Sequence, residues 1–162
     1  MLKNYKKIFI IGLIGYVLVN LIPVDRTNPP IKNEPDMPQR VKDILKNSCY
    51  DCHSNEVNYP IYSYLAPASW IIAGDVYNGR RHLNFSEWDL NNEKKLKEEI
   101  WEEIEKGDMP LAIYTFMHPN STLEPGEKNS LEIWTKYEAE FLFDNIETKK
   151  ENKKEPNNKY KE

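Results

Sequence analysis

The run NSCYDCH, residues 47–53, sets the first limit on how this chain can fold. It holds both cysteines of the 162-residue sequence, Cys49 and Cys52, with His53 directly after the second. Two thiols cannot build the multi-disulfide framework that small secreted domains use in place of a large core. The fold must therefore rest on apolar packing. The thiols, three positions apart and followed by an imidazole, are placed for chemistry.

Apolar residues make up 40% of the chain, enough for one domain of ordinary globular balance. Their spacing is helical. Val41, Ile44 and Leu45 form a short stripe that runs into Cys49. A second helix is expected over residues 66–79, with Trp70, Ile71, Ala73 and Tyr77 on or near one face. A third carries Leu96, Ile100, Trp101 and Ile104 and stops at Gly107. A fourth is expected from about Pro125 to Phe143, with Leu131, Trp134, Tyr137 and Phe141 in register. Pro125 suits its first turn, and Glu127 its positive end. No stretch alternates convincingly as a strand, and IYSYLAP (61–67) reads as a loop. The expected fold class is all-α, a single domain of short helices and long loops.

At the front, Lys3, Lys6 and Lys7 precede the apolar run IFIIGLIGYVLVNLIPV, residues 8–24. It would rise about 25 Å as a helix, within the range of a short membrane span. No small-residue cleavage site follows it. Residues 1–24 are thus expected to be a single transmembrane anchor, basic end in the cytoplasm, with the rest exported to the periplasmic side. A cleaved signal peptide is the competing reading. Residues 25–36 are rich in proline and read as an extended linker, residues 37–143 as the folded domain, and residues 144–162 as a charged, disordered tail. The net charge of −4 gives no basic field for nucleic acid.

Cys-x-x-Cys-His is the attachment signature of c-type haem. Two thiols one helical turn apart reach the two vinyl groups of one porphyrin edge, and the next residue offers its imidazole to the iron. One covalent haem c is therefore expected on Cys49 and Cys52, with His53 as the proximal ligand. A thiol-redox pair needs no histidine and belongs in a thioredoxin-like context that is absent here. A zinc site would need further ligands, and His82 and His118 lack finger-like spacing. The sixth iron position is assigned to Met109, which precedes Pro110 just past a helix end. A thioether is soft and favours ferrous iron. Met117 and His118 are its rivals. Arg80 or Arg81 could pair with a haem propionate, or both could be solvated at a helix end. Pro60 or Pro67 could offer a carbonyl to the outer N–H of His53. Trp70 and Trp88 read as core, and the glutamates of residues 98–105 as a solvated face.

These residues carry a resemblance. The segments APASWIIAGDVYNGRRHLNFSEW (66–88), GDMPLAIYTFMHPNSTL (107–123) and EKNSLEIW (127–134) resemble the bacterial haem-binding domain family. Its members are small exported proteins with one C-x-x-C-H, similar to monohaem cytochromes c. The resemblance runs from about Pro38 to Tyr137. It falls on Trp70, Gly79, Arg80, Asn84, Phe85, Ser86 and Trp88, and on Met109-Pro110 and His118-Pro119. One departure is Leu123-Glu124, where the family's last helix opens with Leu-Ser. The expected function is a membrane-tethered c-type cytochrome that moves single electrons between redox protein partners and is not an enzyme. The alternative is a five-coordinate haem enzyme or sensor, with Arg81, His82 or His118 above an open iron position.

Overall fold

The protein's structure, a computed structural model, describes residues 2–137. These form seven α-helices in the order α1 (Leu2–Asn20), α2 (Gln39–Ser48), α3 (Tyr50–His53), α4 (Ala68–His82), α5 (Glu93–Lys106), α6 (Ala112–Met117) and α7 (Pro125–Lys136). Single 3-10 turns lie at Ile61–Tyr64 and Pro119–Ser121. Among the described residues there is no strand, only one isolated bridge between Asn33 and Glu87. The all-helical class holds.

The chain divides into two units. One is made of the described residues up to Glu34 together with Tyr50–Trp88; the other of Pro35–Cys49 together with the described residues from Asp89 on. In the second unit α7 packs against both α2 and α5. Val41, Ile44 and Leu45 of α2, Ile100 and Ile104 of α5, and Leu131 and Trp134 of α7 are buried there, as helical periodicity requires. Gly107 ends α5 in the left-handed conformation at φ 82°, which an L-side chain rarely adopts. Pro125 opens α7, and the Glu127 carboxylate accepts the Glu124 N–H at 2.9 Å, one half of a capping box. The stripe stops sooner than expected: α7 ends at Lys136, and Tyr137 is exposed. Phe141 and the tail from 144 to 162 lie outside the described residues.

In the first unit, α3 lies against α4, and the 61–64 turn packs on α4 as well. The face of α4 that is buried differs from the expected one. Ser69, Val76 and Gly79 are buried, whereas Trp70, Ile71 and Tyr77 are 41%, 57% and 66% exposed. The reason is close approach. A Cβ on Gly79 would stand 2.5 Å from the Cys52 carbonyl oxygen, so only the small-residue face of α4 can meet α3. Trp88 is core as expected; Trp70 is not.

The transmembrane helix is corrected. No helix among the described residues is long and apolar enough to cross a membrane. α1 takes in Lys3, Lys6 and Lys7, and it ends at Asn20, inside the apolar run. The Asn20 side chain turns back to donate to the Tyr16 carbonyl at 2.7 Å, and its Oδ1 accepts the Ala66 N–H at 2.9 Å. Leu21 and Ile22 leave the helix in a tight turn. The uncharged part of α1, residues 8–20, rises about 20 Å at 1.5 Å per residue, against a hydrocarbon core of about 30 Å. A single-pass anchor is not supported. The periplasmic placement, read from that anchor, goes with it.

Candidate haem site

Cys49 closes α2 as its C-cap, with φ −129° and ψ −36°, and its N–H donates to Leu45 O at 2.8 Å. The C-x-x-C-H run therefore begins at a break between two helices. Its remaining residues form the single turn of α3, which carries Cys52 and His53. Neither cysteine is in a disulfide, and both are half-buried.

His53 is seated by its neighbours. Its Nδ1 lies 3.1 Å from the Leu83 carbonyl oxygen. A carbonyl only accepts, so Nδ1 carries the proton and the lone pair stands on Nε2, the tautomer that ligates a metal through Nε2. Burial holds the imidazole below its usual range. The Leu83 and Gly79 carbonyls pull the other way, and His82 adds to the effect of burial. At about pH 7 this lowering favours the neutral ring, the form an iron ligand needs. The support expected from Pro60 or Pro67 comes from Leu83 instead. Nothing in the sequence marks a backbone carbonyl that the fold delivers from 30 residues away.

Burial, then Asp75 and Asp51, push the Cys52 thiol up to about 12. A thiol so reluctant to ionise is a poor disulfide-exchange nucleophile and a poor zinc ligand. Among the described residues no group of three or more His, Cys, Asp or Glu could hold a metal ion. What the site offers is two thiols and one neutral imidazole in sequence. That donor set fits a covalent haem.

The chain leaving His53 is gripped by residues that follow α4. Phe85 N–H donates to His53 O at 2.8 Å. Ser86 Oγ accepts the Asn55 N–H at 2.9 Å, Asn84 Nδ2 donates to Asn55 Oδ1 at 3.0 Å, and Asn84 Oδ1 accepts the Ser86 N–H at 2.9 Å. Phe85 is buried in a stack between Tyr50 and Trp88, at centroid distances of 5.0 and 5.9 Å. Arg80 Nε donates to Ser54 O at 2.8 Å. Gly79, Arg80, Asn84, Phe85 and Ser86 thus form the seat of the histidine. The Asn-Phe-Ser run has a physical reason to exist.

The other nominated residues lie as follows. Met109 belongs to the second unit, as does Cys49. It is half-buried, follows the Gly107 stop and donates its N–H to Glu103 O at 3.2 Å. Met117, at the end of α6, is exposed. His118 presents Nδ1 to Tyr114 O at 3.2 Å, with its ring against Tyr114. Arg81 and His82 are exposed in the last turn of α4. The acidic face of α5 is solvated and laced with i,i+4 lysine pairs, including Lys94–Glu98 and Lys95–Glu99.

No curated protein and no solved structure matches the chain. Residues 14–137 match the family described as haem-binding domain, and that span includes every residue placed above at the seat of His53. With the donor set and its supports inside the match, the chain belongs to the haem-binding domain family.

Proposed function

We propose that this protein carries one haem, attached covalently through Cys49 and Cys52, and passes single electrons between redox protein partners. One observation carries the reading. The His53 imidazole, next to Cys52 and held below its ordinary value by burial, faces the Leu83 carbonyl with Nδ1, in the tautomer that puts the ligating lone pair on Nε2. When bound, the haem iron supplies a one-electron couple whose potential the protein tunes through axial ligand and burial. The chain's own part is to keep His53 uncharged, hold its ring in one orientation and keep the Cys52 thiol out of exchange chemistry. Met109 is the proposed second axial ligand. Its thioether would favour the ferrous state, and the stop at Gly107 gives its loop a defined start. On this reading the protein is an electron carrier and not an enzyme.

The test uses the full chain made in cells that mature c-type haem. After denaturation the haem should stay on the polypeptide, and Cys52→Ala should weaken or abolish that retention. The reduced protein should show a sharp low-spin spectrum that ignores carbon monoxide, and Met109→Ala should open it to the gas. Haem lost on denaturation would overturn covalent attachment. A wild-type spectrum that shifts with carbon monoxide would overturn the closed carrier in favour of gas binding or peroxide chemistry.

A further inference from the structure

Residues 26–33 run extended along the first unit and are bonded to it repeatedly. Arg26 donates from Nε and Nη2 to the Ser63 carbonyl at 3.1 and 2.9 Å, and its guanidinium lies 4.7 Å from the centre of the Tyr64 ring. Asn28 exchanges two bonds with the Val57 backbone, giving from Nδ2 at 3.0 Å and accepting at Oδ1 at 3.2 Å. Pro30 O accepts from Asn55 Nδ2 at 3.2 Å. The N–H groups of Lys32 and Asn33 share the Ser86 carbonyl at 2.9 and 3.2 Å. The proline-rich segment expected as a linker is a strap.

Arg80 joins the strap to the histidine's seat. From one guanidinium, Nε donates to Ser54 O at 2.8 Å, Nη1 to Thr27 O at 2.9 Å and Nη2 to Asn28 Oδ1 at 2.8 Å. Ser54 is the residue directly after His53. A guanidinium has five N–H donors in a rigid fork, and bonds from a charged donor are about twice as strong as neutral ones. Three of Arg80's donors are committed to the chain itself.

We infer that Arg80 is a positioning residue for His53, locking the strap at Thr27 and Asn28 onto the backbone that leaves α3. The strap is thereby part of the seat of the haem ligand. The inference rests on the reading of His53 as that ligand. It differs from a propionate partnership in what it demands of residue 80. A propionate needs a nearby positive charge. The latch needs a fork that reaches three acceptors together, which the single ammonium of lysine cannot do.

The experiment compares Arg80→Ala, Arg80→Lys and Asn28→Ala in the full chain. In the haem-free protein, exchange of the Phe85 and Asn55 amides reports the seat directly. Arg80→Ala and Asn28→Ala should each speed it roughly tenfold or more, as loss of a charge-assisted bond implies. The double variant should fall short of the product of the two effects, because both break one latch. Arg80→Lys should resemble Arg80→Ala. In the haem-loaded protein all three should shift the ligand-sensitive visible bands in the same direction. Wild-type exchange and spectrum in Arg80→Lys, or a neutral Asn28→Ala, would overturn the latch and leave Arg80 as a charge partner. Should Arg80→Ala fail to fold, the lysine variant and Asn28→Ala decide the question alone. Should the wild type bind no haem, the proposed function falls, and amide exchange still decides the latch.

Discussion

The two units of this chain are held together by different physics. In the second, α2, α5 and α7 bury Leu45, Ile104, Leu131 and Trp134 along helical stripes. The Trp134 indole is fully buried, its N–H donates to Asp36 O at 3.2 Å, and Lys97 Nζ stands 5.1 Å from its ring centre. In the first, the residues around His53 are fixed by side chains bonded to backbone. Ser54, Asn55, Ser63 and Ser86 are buried polar groups, each with a hydrogen bond. A stripe core tolerates a shift of an ångström better than a hydrogen-bond seat does, since apolar attraction has no preferred direction. The haem ligand sits where direction matters.

If this contrast is right, the largest loss of stability comes from the stripe core. Trp134→Ala should cost about 3–5 kcal/mol, the usual range for emptying a buried aromatic site. Denaturant unfolding of the haem-free chain measures it. A cost below that of the polar-seat variants would break the contrast.

Gly79→Ala comes next. The new methyl would lie 2.5 Å from Cys52 O and 3.0 Å from Cys52 C, both backbone atoms that cannot swing aside. Overpacking of this kind costs about 1–3 kcal/mol, at times more. The more telling readout is haem loading, which should drop because α3 itself must move. Full loading with unchanged stability would show that the close approach of α3 and α4 is not required. Ser86→Ala should cost a similar amount, about 1–3 kcal/mol, without moving α3, from leaving the Asn55 N–H buried without its acceptor. Replacement by Thr, which restores a hydroxyl acceptor, should recover part of it.

The same contrast explains what could be read in advance. Periodicity found α2, α5 and the start of α7 because those helices bury what their stripes display: Ile44, Ile100 and Leu131 recur where a 3.6-residue period puts them. It misread α4, where the large apolar residues Trp70, Ile71 and Tyr77 face outward and the buried side is Ser69 and Gly79. Hydropathy ranks side chains by transfer, and close backbone approach selects for size. The membrane span failed for a related reason: hydropathy counted residues 8–24 as one run, yet Asn20 ends the helix by bonding back to Tyr16. His53 was legible because its chemistry is a short motif. Its support from Leu83 was not, because a backbone carbonyl has no sequence signature.

The smallest expected effect is a slope with pH. Burial holds the His53 imidazole below its ordinary 6.5 in the folded, haem-free protein. As pH falls past 6.5 the unfolded chain takes up the proton first, so stability declines toward acid. The contribution is whole above 6.5 and is lost as pH drops through the lower folded value. Asp25, Glu87 and Asp89 are also held low and act in the same direction, but only below the ordinary carboxylate values, 4.5 for Glu87. Asp75, held above 3.8 by burial, acts in the opposite direction in the carboxylate range, so a fall in stability just below 6.5 belongs largely to His53. Urea midpoints measured in that range should fall with pH in the wild type and flatten in His53→Gln. An equal slope in both would mean that the imidazole is not buried as described, and the seat built by Leu83, Phe85 and Arg80 would lose its purpose.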